Sequence, residues 1–454
     1  MNVIILYQHL VREWDASQRL RALYEEAGDN AIVCSIDFER VKAYKYAKKN
    51  IPDVILVPFF VDHEHEEWLS AFIDLNRDVK IINLHQEQIG SKFSVGLMLP
   101  RTPFTKNGSF HFAWGEYFKA LLLSCGVKEE NIIITGNSRN DFRNITHTDK
   151  KELASHYGLS PSKKWILFAE NRGWYLGRNK EYTKRTLAPR GMTDEHFYRA
   201  VREEKENLDA FADQMRLLTE EFGREYEFIY RPHPGTVLHY ELPKWVHIIA
   251  DRPIYDWIAC CDLFLTCEST SIFEAEMMGK PCAFVPSINI PDDDNKMAGV
   301  WDYPRLDRIT EITDSLIEHI RSENESRGTI YTRYLGEVDG NAASRIVAAS
   351  RAVRDIAVDE ADKVYSHATP KQLLRQFLYE KATWVTTKTG LLDRLKFPSS
   401  AYAEKRDIPY SPENAWISRI TYNGGGGAQL RFRLKPRVYI SRQYFETSAS
   451  SLAA

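Results

Sequence analysis

Short apolar runs separated by longer polar stretches recur along most of the chain. The first run, Val3–Tyr7, is followed by an amphipathic stretch, Ala16–Ala27, and then by a second run, Ala31–Ser35. Continuous apolar runs of this length are typical of buried parallel strands, whereas stretches with a 3.6-residue period are typical of helices. The alternation predicts βαβ units, and therefore an α/β protein built on parallel sheets.

The alternation continues and divides into two sets. A polar crossover at Thr146–Lys164 separates the sets, which predicts two Rossmann-like domains, residues 1–150 and 151–356, followed by an appendage, residues 357–454. The first strand is not followed by GxGxxG, so a dinucleotide cofactor is not indicated. The further predicted strands are Asp53–Phe60, Val79–Leu84, Ile132–Thr135, Trp165–Ala169, Glu227–Tyr230, Val246–Ala250, Asp262–Cys267 and Cys282–Pro286.

Polar side chains follow two strands of the predicted second domain. Arg231 and His233 come after one strand, between two prolines, and Ser269–Ser271 come after another and open a helix. Ligands of parallel sheets bind beyond the carboxyl ends of the strands. Guanidinium, imidazole and hydroxyl groups at a helix start are suited to phosphate oxygens, so the two clusters predict a cradle for a diphosphate or phosphodiester. The simpler alternative is that the serines cap a helix and His233 caps a turn.

An acidic and histidine-rich run, Asp62–Glu67, follows the third strand of the first domain. Its order matches no zinc spacing, so we expect a polar helix start there rather than a metal site. Glu87 follows the next strand, and a carboxylate just past a strand end is a candidate acid or base. The alternative for Glu87 is a helix-capping acid.

The strand-end motifs resemble a known group of enzymes. Arg231-Pro232-His233-Pro234, Asp251–Tyr255, and Ser269–Ser271 with Glu274 and Gly279-Lys280-Pro281 resemble the C-terminal half of GT-B glycosyltransferases. More narrowly, they resemble the bacterial "surface carbohydrate biosynthesis protein" group. That group is related to capsule and lipopolysaccharide Kdo transferases and, more distantly, to CDP-glycerol glycerophosphotransferases.

The resemblance implies a metal-independent GT-B enzyme, with two Rossmann-like domains facing a cleft and no bound cofactor, because the nucleotide-activated sugar is a substrate. It implies catalytic roles for Glu87, His233 and Asp15. The implied donor-binding residues are Arg231, His233, Tyr255, Ser269, Thr270, Ser271 and Glu274, and the implied cleft residues are Arg12, Glu13, Gln88, Asn137, Arg139, Glu170 and Asn171.

The expected function is transfer of a sugar, from CMP-Kdo or a related donor, onto a bacterial surface polysaccharide of the lipopolysaccharide or capsule type. The acceptor would be a glycan or a lipid-linked glycan. Two alternatives stay open. The Arg-Pro-His-Pro motif also fits a CDP-alditol polyol-phosphate transferase, and a degenerate phosphate site would fit a non-catalytic glycan-binding or scaffold subunit.

Charge and composition limit the expected cellular location of the protein and the classes of partner it could bind. The net charge of −3 gives no general attraction for nucleic acid, and six cysteines without metal spacing indicate reduced thiols in the cytoplasm. We expect no signal peptide, since a strand begins at Val3, and no apolar run approaches the ~20 residues that a membrane helix needs. From Lys363 onward, however, the chain has 15 Lys and Arg against 6 Asp and Glu. Residues 371–397 there form a basic amphipathic stretch, which predicts contact with an anionic inner membrane or, alternatively, packing on the body of the protein.

Overall fold

The computed structural model describes most of the chain. The described residues are 1–90, 92–144, 148–171, 188, 193–232, 242–249, 252, 254–285, 302–389, 418–422 and 428–432.

The first parallel sheet contains six strands. They are β1 (Asn2–Tyr7), β2 (Asn30–Ser35), β3 (Val54–Val57), β4 (Lys80–Asn83), β5 (Phe110–Ala113) and β6 (Ile132–Ile134), in the spatial order β2-β1-β3-β4-β5-β6. The connecting helices are α1 (Leu10–Glu26), α2 (Arg40–Lys49), α3 (His63–Ile73), α4 (Lys92–Met98), α5 (Pro103–Asn107) and α6 (Glu116–Ser124).

The second parallel sheet contains five strands. They are β7 (Lys164–Ala169), β8 (Tyr226–Arg231), β9 (Val246–Ile248), β10 (Leu263–Thr266) and β11 (Cys282–Phe284), in the spatial order β11-β10-β7-β8-β9. The helices around this sheet are α7 (Lys150–Tyr157), α8 (Asp194–Leu217), α9 (Glu220–Glu225), α10 (Ile254–Cys260), α11 (Ser271–Met277), α12 (Asp314–Arg327) and α13 (Tyr331–Leu335). Two parallel, helix-covered sheets confirm the predicted α/β class with two Rossmann-like domains.

Apolar residues cover both faces of each sheet, which explains why the strands read as continuous apolar runs. In β1, Val3 and Ile5 belong to one buried cluster, whereas Ile4 and Leu6 belong to another on the opposite face. In β7, the side chains of Trp165 and Leu167 likewise pack on one face and those of Ile166 and Phe168 on the other. Successive side chains of a strand point to opposite faces, so these sheets need helices on both sides.

A late helix returns to the first sheet, as expected for this architecture. Helix α14 (Ala342–Val353) places Ala343, Ile346 and Val347 in the cluster under β1. The Asp141 carboxylate accepts hydrogen bonds from the N–H groups of Ala342 and Ala343, at 2.9 and 2.7 Å. These bonds satisfy N–H groups that the start of a helix leaves without partners.

The first helix begins earlier than its apolar pattern predicts. We expected it to begin at Ala16, but it begins at Leu10, so Arg12, Glu13 and Asp15 are helical. The Glu13 carboxylate accepts a hydrogen bond from the backbone N–H of Gln8 at 2.7 Å. This contact ties the end of β1 to the first turn of the helix, where the dipole favours an acid.

The beginning of the appendage packs on the first domain. Tyr365 is buried, and its hydroxyl donates to Asp74 at 2.7 Å. Beyond it, helix α15 (Pro370–Thr389) lies beside α2, and β12 (Ser418–Tyr422) pairs antiparallel with β13 (Ala428–Phe432).

Candidate functional site

The strand order of each sheet locates a crevice at its carboxyl edge. In the first sheet the order reverses between β1 and β3, and in the second between β7 and β10. Ligands of open α/β sheets bind at such reversals. The loop after β1 leads to Arg12 and Glu13, and the loops after β7 and β10 carry Glu170 and Ser269–Ser271.

The structure brings Arg12 and Glu87 together. The Nη1 atom of Arg12 donates to Oε1 of Glu87 at 2.5 Å, and both side chains are about half exposed, at 40% and 46%. The pair therefore joins the start of α1 to the loop after β4 while leaving the carboxylate open to solvent. Glu13, next to Arg12, is buried instead, and burial raises its pKa against the opposing charge of Arg12.

Arg139 lies next to this pair, in the loop after β6. Its guanidinium carbon lies 5.1 Å from the ring centre of Trp114, which is a cation–π contact. The side-chain oxygen of Asn137 accepts from the backbone N–H of Arg139 at 3.0 Å and fixes the loop. Burial lowers the pKa of Arg139 and the charge of Arg12 lowers it further, whereas Glu13, Glu274 and Glu87 raise it.

Glu274 links the two domains electrostatically. It lies in α11 of the second domain, yet the charged group that acts on it is Arg139 of the first. Burial raises the pKa of Glu274 to about 7, although the charge of Arg139 opposes the shift. Its Oε2 atom is buried without a hydrogen-bond partner among the described residues. A carboxylate with one buried, unused oxygen is a candidate acceptor for a ligand hydroxyl or N–H.

Gln88, one of the predicted cleft residues, is buried and holds the backbone. Its side chain is fully buried, and its Nε2 atom donates to the carbonyls of Leu84 and Phe112 at 3.3 and 3.1 Å. Its Oε1 atom accepts from the N–H of Trp114 at 2.7 Å. One amide thus connects the loop that carries Glu87 to the residue on which Arg139 stacks.

Arg231 shapes a loop as well as ending β8. Its Nη2 atom donates to the carbonyl of Arg252 at 2.8 Å. Arg252 has a φ of +62°, in the left-handed region that a non-glycine residue rarely adopts. The bond holds this strained residue just before α10, whose first turn contains the half-buried Tyr255.

Glu170 and Asn171 follow β7 beside Arg231. The N–H of Glu170 donates to the carbonyl of Arg231 at 2.8 Å, and the buried Glu170 carboxylate accepts from the N–H of Asn171 at 3.0 Å. The Tyr230 hydroxyl lies 3.5 Å from the same carboxylate. These two predicted cleft residues therefore stand at the carboxyl edge of the second sheet.

The serines of the second cluster begin helix α11. The Ser269 hydroxyl accepts from the Ser271 hydroxyl at 2.8 Å and from the Ser271 N–H at 3.3 Å. Ser271 is buried, whereas Thr270 is exposed. Thr270 is the N-cap residue of this helix and its side chain makes no capping hydrogen bond, so the Ser269 hydroxyl orders the turn just before the cap. His233, the other predicted phosphate ligand, lies outside the described residues.

Asp15 occupies another side of α1. It is half-buried and two positions beyond Glu13, and residues two apart on a helix do not face each other.

The run Asp62–Glu67 forms the polar helix start that we predicted. The Asp62 carboxylate caps α3 by accepting from the N–H of His65, and Glu66 accepts from the N–H of Ser366 at 2.9 Å. Across the described ranges, no group of three His, Cys, Asp or Glu side chains is placed to hold a metal ion.

Two features at this edge were not predicted from the sequence. Trp114 was visible as the residue after a strand, but its stacking on Arg139 was not. The buried imidazoles of His85 and His111 share a hydrogen bond of 2.8 Å beneath the Glu87 loop, and His85 has a φ of +45°. The sequence signal for this buried pair was that His85 comes directly after an apolar strand.

A family model matches the chain over residues 117–349, just over half of its length. Its description is "CDP-Glycerol:Poly(glycerophosphate) glycerophosphotransferase". The matched residues run from α6 through the whole second sheet into α14. No curated protein sequence matches the chain.

Solved structures resemble the chain at low identity. A variant of the wall teichoic acid polymerase TagF has a TM-score of 0.50 and 13% identity, and the match covers 78% of this chain and 89% of that one. The UDP-GlcNAc 2-epimerase from Neisseria meningitidis, bound to UDP-GlcNAc, has a TM-score of 0.47 and 14% identity, covering 77% and 99%. At such identity the likeness to TagF shows a shared fold of the GT-B-like kind.

Proposed function

Because the chain belongs to the CDP-glycerol:poly(glycerophosphate) glycerophosphotransferase family, we propose that it transfers the alditol phosphate of a CDP-activated donor to a growing surface polymer. The observation that carries this proposal is the family match over residues 117–349, which includes every predicted donor-binding residue. The Arg-Pro-His-Pro motif had left this reaction open as the alternative to sugar transfer. The family description now favours it, because it names CDP-glycerol and not a CMP-sugar.

The reaction needs one bond made and one broken. An acceptor hydroxyl attacks the phosphorus that bears the alditol, the bridging P–O bond breaks, and CMP leaves with the electron pair. The hydroxyl proton passes to a base on the enzyme. The product is a phosphodiester, so the enzyme must activate an oxygen nucleophile and neutralise a phosphate leaving group.

The second domain would hold the donor. Arg231 stands at the carboxyl edge of the sheet, and in our proposal it and His233 neutralise the diphosphate as CMP departs. The Ser269–Ser271 turn lies two strands away from Arg231, across β7. Tyr255 and the unused oxygen of Glu274 would contact the nucleoside part of the donor.

The first domain would prepare the acceptor. Glu87 is the proposed base, because its carboxylate is 46% exposed, Arg12 orients it, and its charge acts on the same Arg139 as that of Glu274. Asp15 is the second candidate, and Glu13 is a third whose raised pKa suits a proton acceptor. Arg139 adds a positive charge at the same edge, near the incoming phosphate.

Sugar transfer onto a surface polysaccharide is the second candidate. The specific observation in its favour is again Glu87, because a half-exposed carboxylate that Arg12 orients can also serve a glycosyl acceptor. CMP-Kdo remains the narrower form of this candidate, and it shares the cytidine base with the first.

The proposed location is the cytoplasmic face of an anionic membrane, where a lipid-linked acceptor would be met. Its support is the strong basic excess from Lys363 onward, set against an acidic remainder of the chain.

A thermal-shift panel with CMP, CDP, UDP and GDP tests the donor base. A ligand at 100 times its dissociation constant stabilises the fold by about 2.7 kcal/mol, which moves the melting temperature by several degrees. We expect CMP and CDP to stabilise the protein and UDP and GDP not to. A shift with UDP or GDP alone contradicts a cytidine donor, and a flat result with all four favours a non-catalytic scaffold.

A further inference from the structure

Helix α15 meets the body of the protein through polar side chains. Gln376 hydrogen-bonds to the Arg40 side chain, and the Glu380 carboxylate accepts from the backbone N–H of Val41 at 3.2 Å. One turn earlier, the Gln372 amide contacts Glu67. The docked side of the helix is therefore built from amides and a carboxylate, with one ring contact between Tyr379 and Phe38.

The apolar side of the same helix faces solvent. Leu373, Leu374, Phe377 and Leu378 follow the spacing of one helical face and are 47%, 58%, 39% and 57% exposed. Among the described residues twelve large apolar side chains are exposed, and five of them lie in α15. A surface helix normally turns its apolar face to the protein, so this helix is docked the other way round. A concentrated apolar patch of this kind marks an interaction site.

Basic side chains border the apolar face on both helices. Lys371, Arg375 and Lys381 are exposed on α15. Helix α2, which α15 contacts, has five Lys and Arg and no acid in its ten residues. Its exposed lysines are Lys42, Lys45, Lys48 and Lys49. The exposed side chains of these two contacting helices are therefore mostly apolar or basic, and we call them the α2–α15 surface.

We propose that the α2–α15 surface lies on an anionic lipid bilayer, with the leucines and Phe377 of α15 inserted among the acyl chains. An amphipathic helix with a basic border binds in this way, parallel to the membrane plane. Across the described part of the chain, no helix is both long and apolar enough to span a bilayer. Insertion of one face is therefore the contact that α15 can make.

Charge favours a lipid surface over a second copy of the chain. A two-fold dimer through this face would bring the basic side chains of both protomers into one interface, where like charges repel. An anionic bilayer instead attracts every one of them, at a distance within the screening length of the solution.

The proposal also orients the enzyme, and in this respect it rests on the proposed function. Helix α2 connects β2 to β3, and the Glu87 loop follows β4 of the same sheet. The first domain would therefore lie against the membrane. A lipid-linked acceptor would then approach Glu87 from the bilayer, while the donor would enter the second domain from solution.

Co-sedimentation of the full-length protein tests the surface without donor or acceptor. The vesicles are phosphatidylglycerol mixed with phosphatidylcholine, or phosphatidylcholine alone. The test variant is Leu374→Glu with Phe377→Glu, and its matched control is Leu217→Glu, since Leu217 is 73% exposed on α8. A second variant, Lys45→Glu with Lys49→Glu, changes charge without touching the apolar face.

We expect the wild type and Leu217→Glu to sediment with the anionic vesicles only. The Leu374→Glu/Phe377→Glu variant should bind at least tenfold more weakly, and the lysine variant about fivefold more weakly per charge removed. Turnover with a water-soluble acceptor should be unchanged in both variants, so a failure of the proposed reaction is visible separately.

Three results would overturn the proposal. One is absence of binding by the wild type. Another is wild-type binding by the Leu374→Glu/Phe377→Glu variant, which would assign binding to the remaining basic chain. The third is a wild-type dimer in size-exclusion chromatography that this variant converts to monomer, which would make the face an interface between copies.

Discussion

Charged side chains from both domains meet around Arg139. Burying a guanidinium is costly unless carboxylates compensate it, and the charges of Glu13, Glu274 and Glu87 oppose the lowering of the Arg139 pKa by burial. Glu87 is paired with Arg12 in the same group but remains half exposed. Glu87 is therefore the solvent-exposed carboxylate of this group, and it is the one left for chemistry.

Replacing Glu87 by Gln tests whether this exposed carboxylate takes part in the chemistry. The amide keeps the shape of the side chain but cannot accept a proton, so we expect turnover to fall about 100-fold or more while nucleotide binding persists. Glu116→Gln, at an exposed acid of α6, is the control. Steady-state turnover and calorimetric nucleotide titration measure the two quantities. A parallel loss of both would make Glu87 structural, and no loss of either would move the base to Asp15 or Glu13.

The buried histidine pair should make the fold sensitive to acid. Burial lowers the pKa of His111 to about 4 and that of His85 well below its usual value. An unfolded histidine titrates near 6.5, so the unfolded chain binds more protons below that pH and stability is lost as pH falls toward 4. His111 alone then lowers the free energy of unfolding by on the order of 1 to 2 kcal/mol between pH 6.5 and 5, and His85 changes it in the same direction.

Urea unfolding at pH 7 and pH 5 measures this loss. A His85→Gln/His111→Gln variant should be less stable overall but should lose clearly less between the two pH values. An equal loss in both proteins would show that other groups control the acid sensitivity.

Local contacts explain which site features the sequence could predict. The motif residues Arg12, Glu13, Arg139 and Glu274 were all candidates, because each follows a strand end or opens a helix. Their pairings could not be predicted, since Arg12 and Glu87 are 75 residues apart and meet only through the sheet order. The buried role of Gln88 was likewise hidden, because an amide near a strand end fits solvent and core equally well.

At the scale of elements, runs of apolar residues predicted the bounds of strands and helices well. Bounds and contacts that depend on polar side chains were predicted poorly. Helix α10 has the predicted bounds Ile254–Cys260, and the strand β7 begins one residue before the predicted Trp165. Helix α1 was placed too late, because Glu13 satisfies the backbone from inside the helix. The docking of α15 through Gln376 and Glu380 was not predictable, since polar contacts between elements leave no periodic pattern.

The junction between α13 and the loop after β5 offers a matched glycine comparison. Gly336 and Gly328 both end helices with φ near +70°, at ψ values of −157° and −164°. A Cβ on Gly336 would lie 2.1 Å from the carbonyl oxygen of Trp114, whereas a Cβ on Gly328 would meet nothing within 4 Å. The two positions share the backbone strain and differ only in the clash.

We therefore expect Gly336→Ala to destabilise the protein by about 2 kcal/mol more than Gly328→Ala. Since Trp114 supports Arg139, the Gly336 variant should also lose turnover, and the Gly328 variant should not. Urea denaturation and turnover assays measure both effects. Equal destabilisation would mean that the junction yields to the added methyl group without cost.

At the scale of the whole molecule, two parallel sheets present their carboxyl edges to a shared group of charges. Arg139 and Glu13 belong to one sheet and Glu274 to the other, so the electrostatic contact between them crosses the domains. Charge is also distributed unevenly along the chain, which is basic from Lys363 onward and acidic before it. The proposed reaction uses the first feature, and the proposed membrane contact uses the second.

Following the reaction by phosphorus NMR tests the central claim most directly. The full-length protein is incubated with CDP-glycerol and a short glycerophosphate oligomer that ends in a free hydroxyl. We predict release of CMP together with an equal amount of new phosphodiester, and loss of both signals in the Glu87→Gln variant. The account is contradicted if CDP-glycerol stays intact while a nucleotide-activated sugar, such as a CMP-sugar, is consumed to form a glycosidic bond.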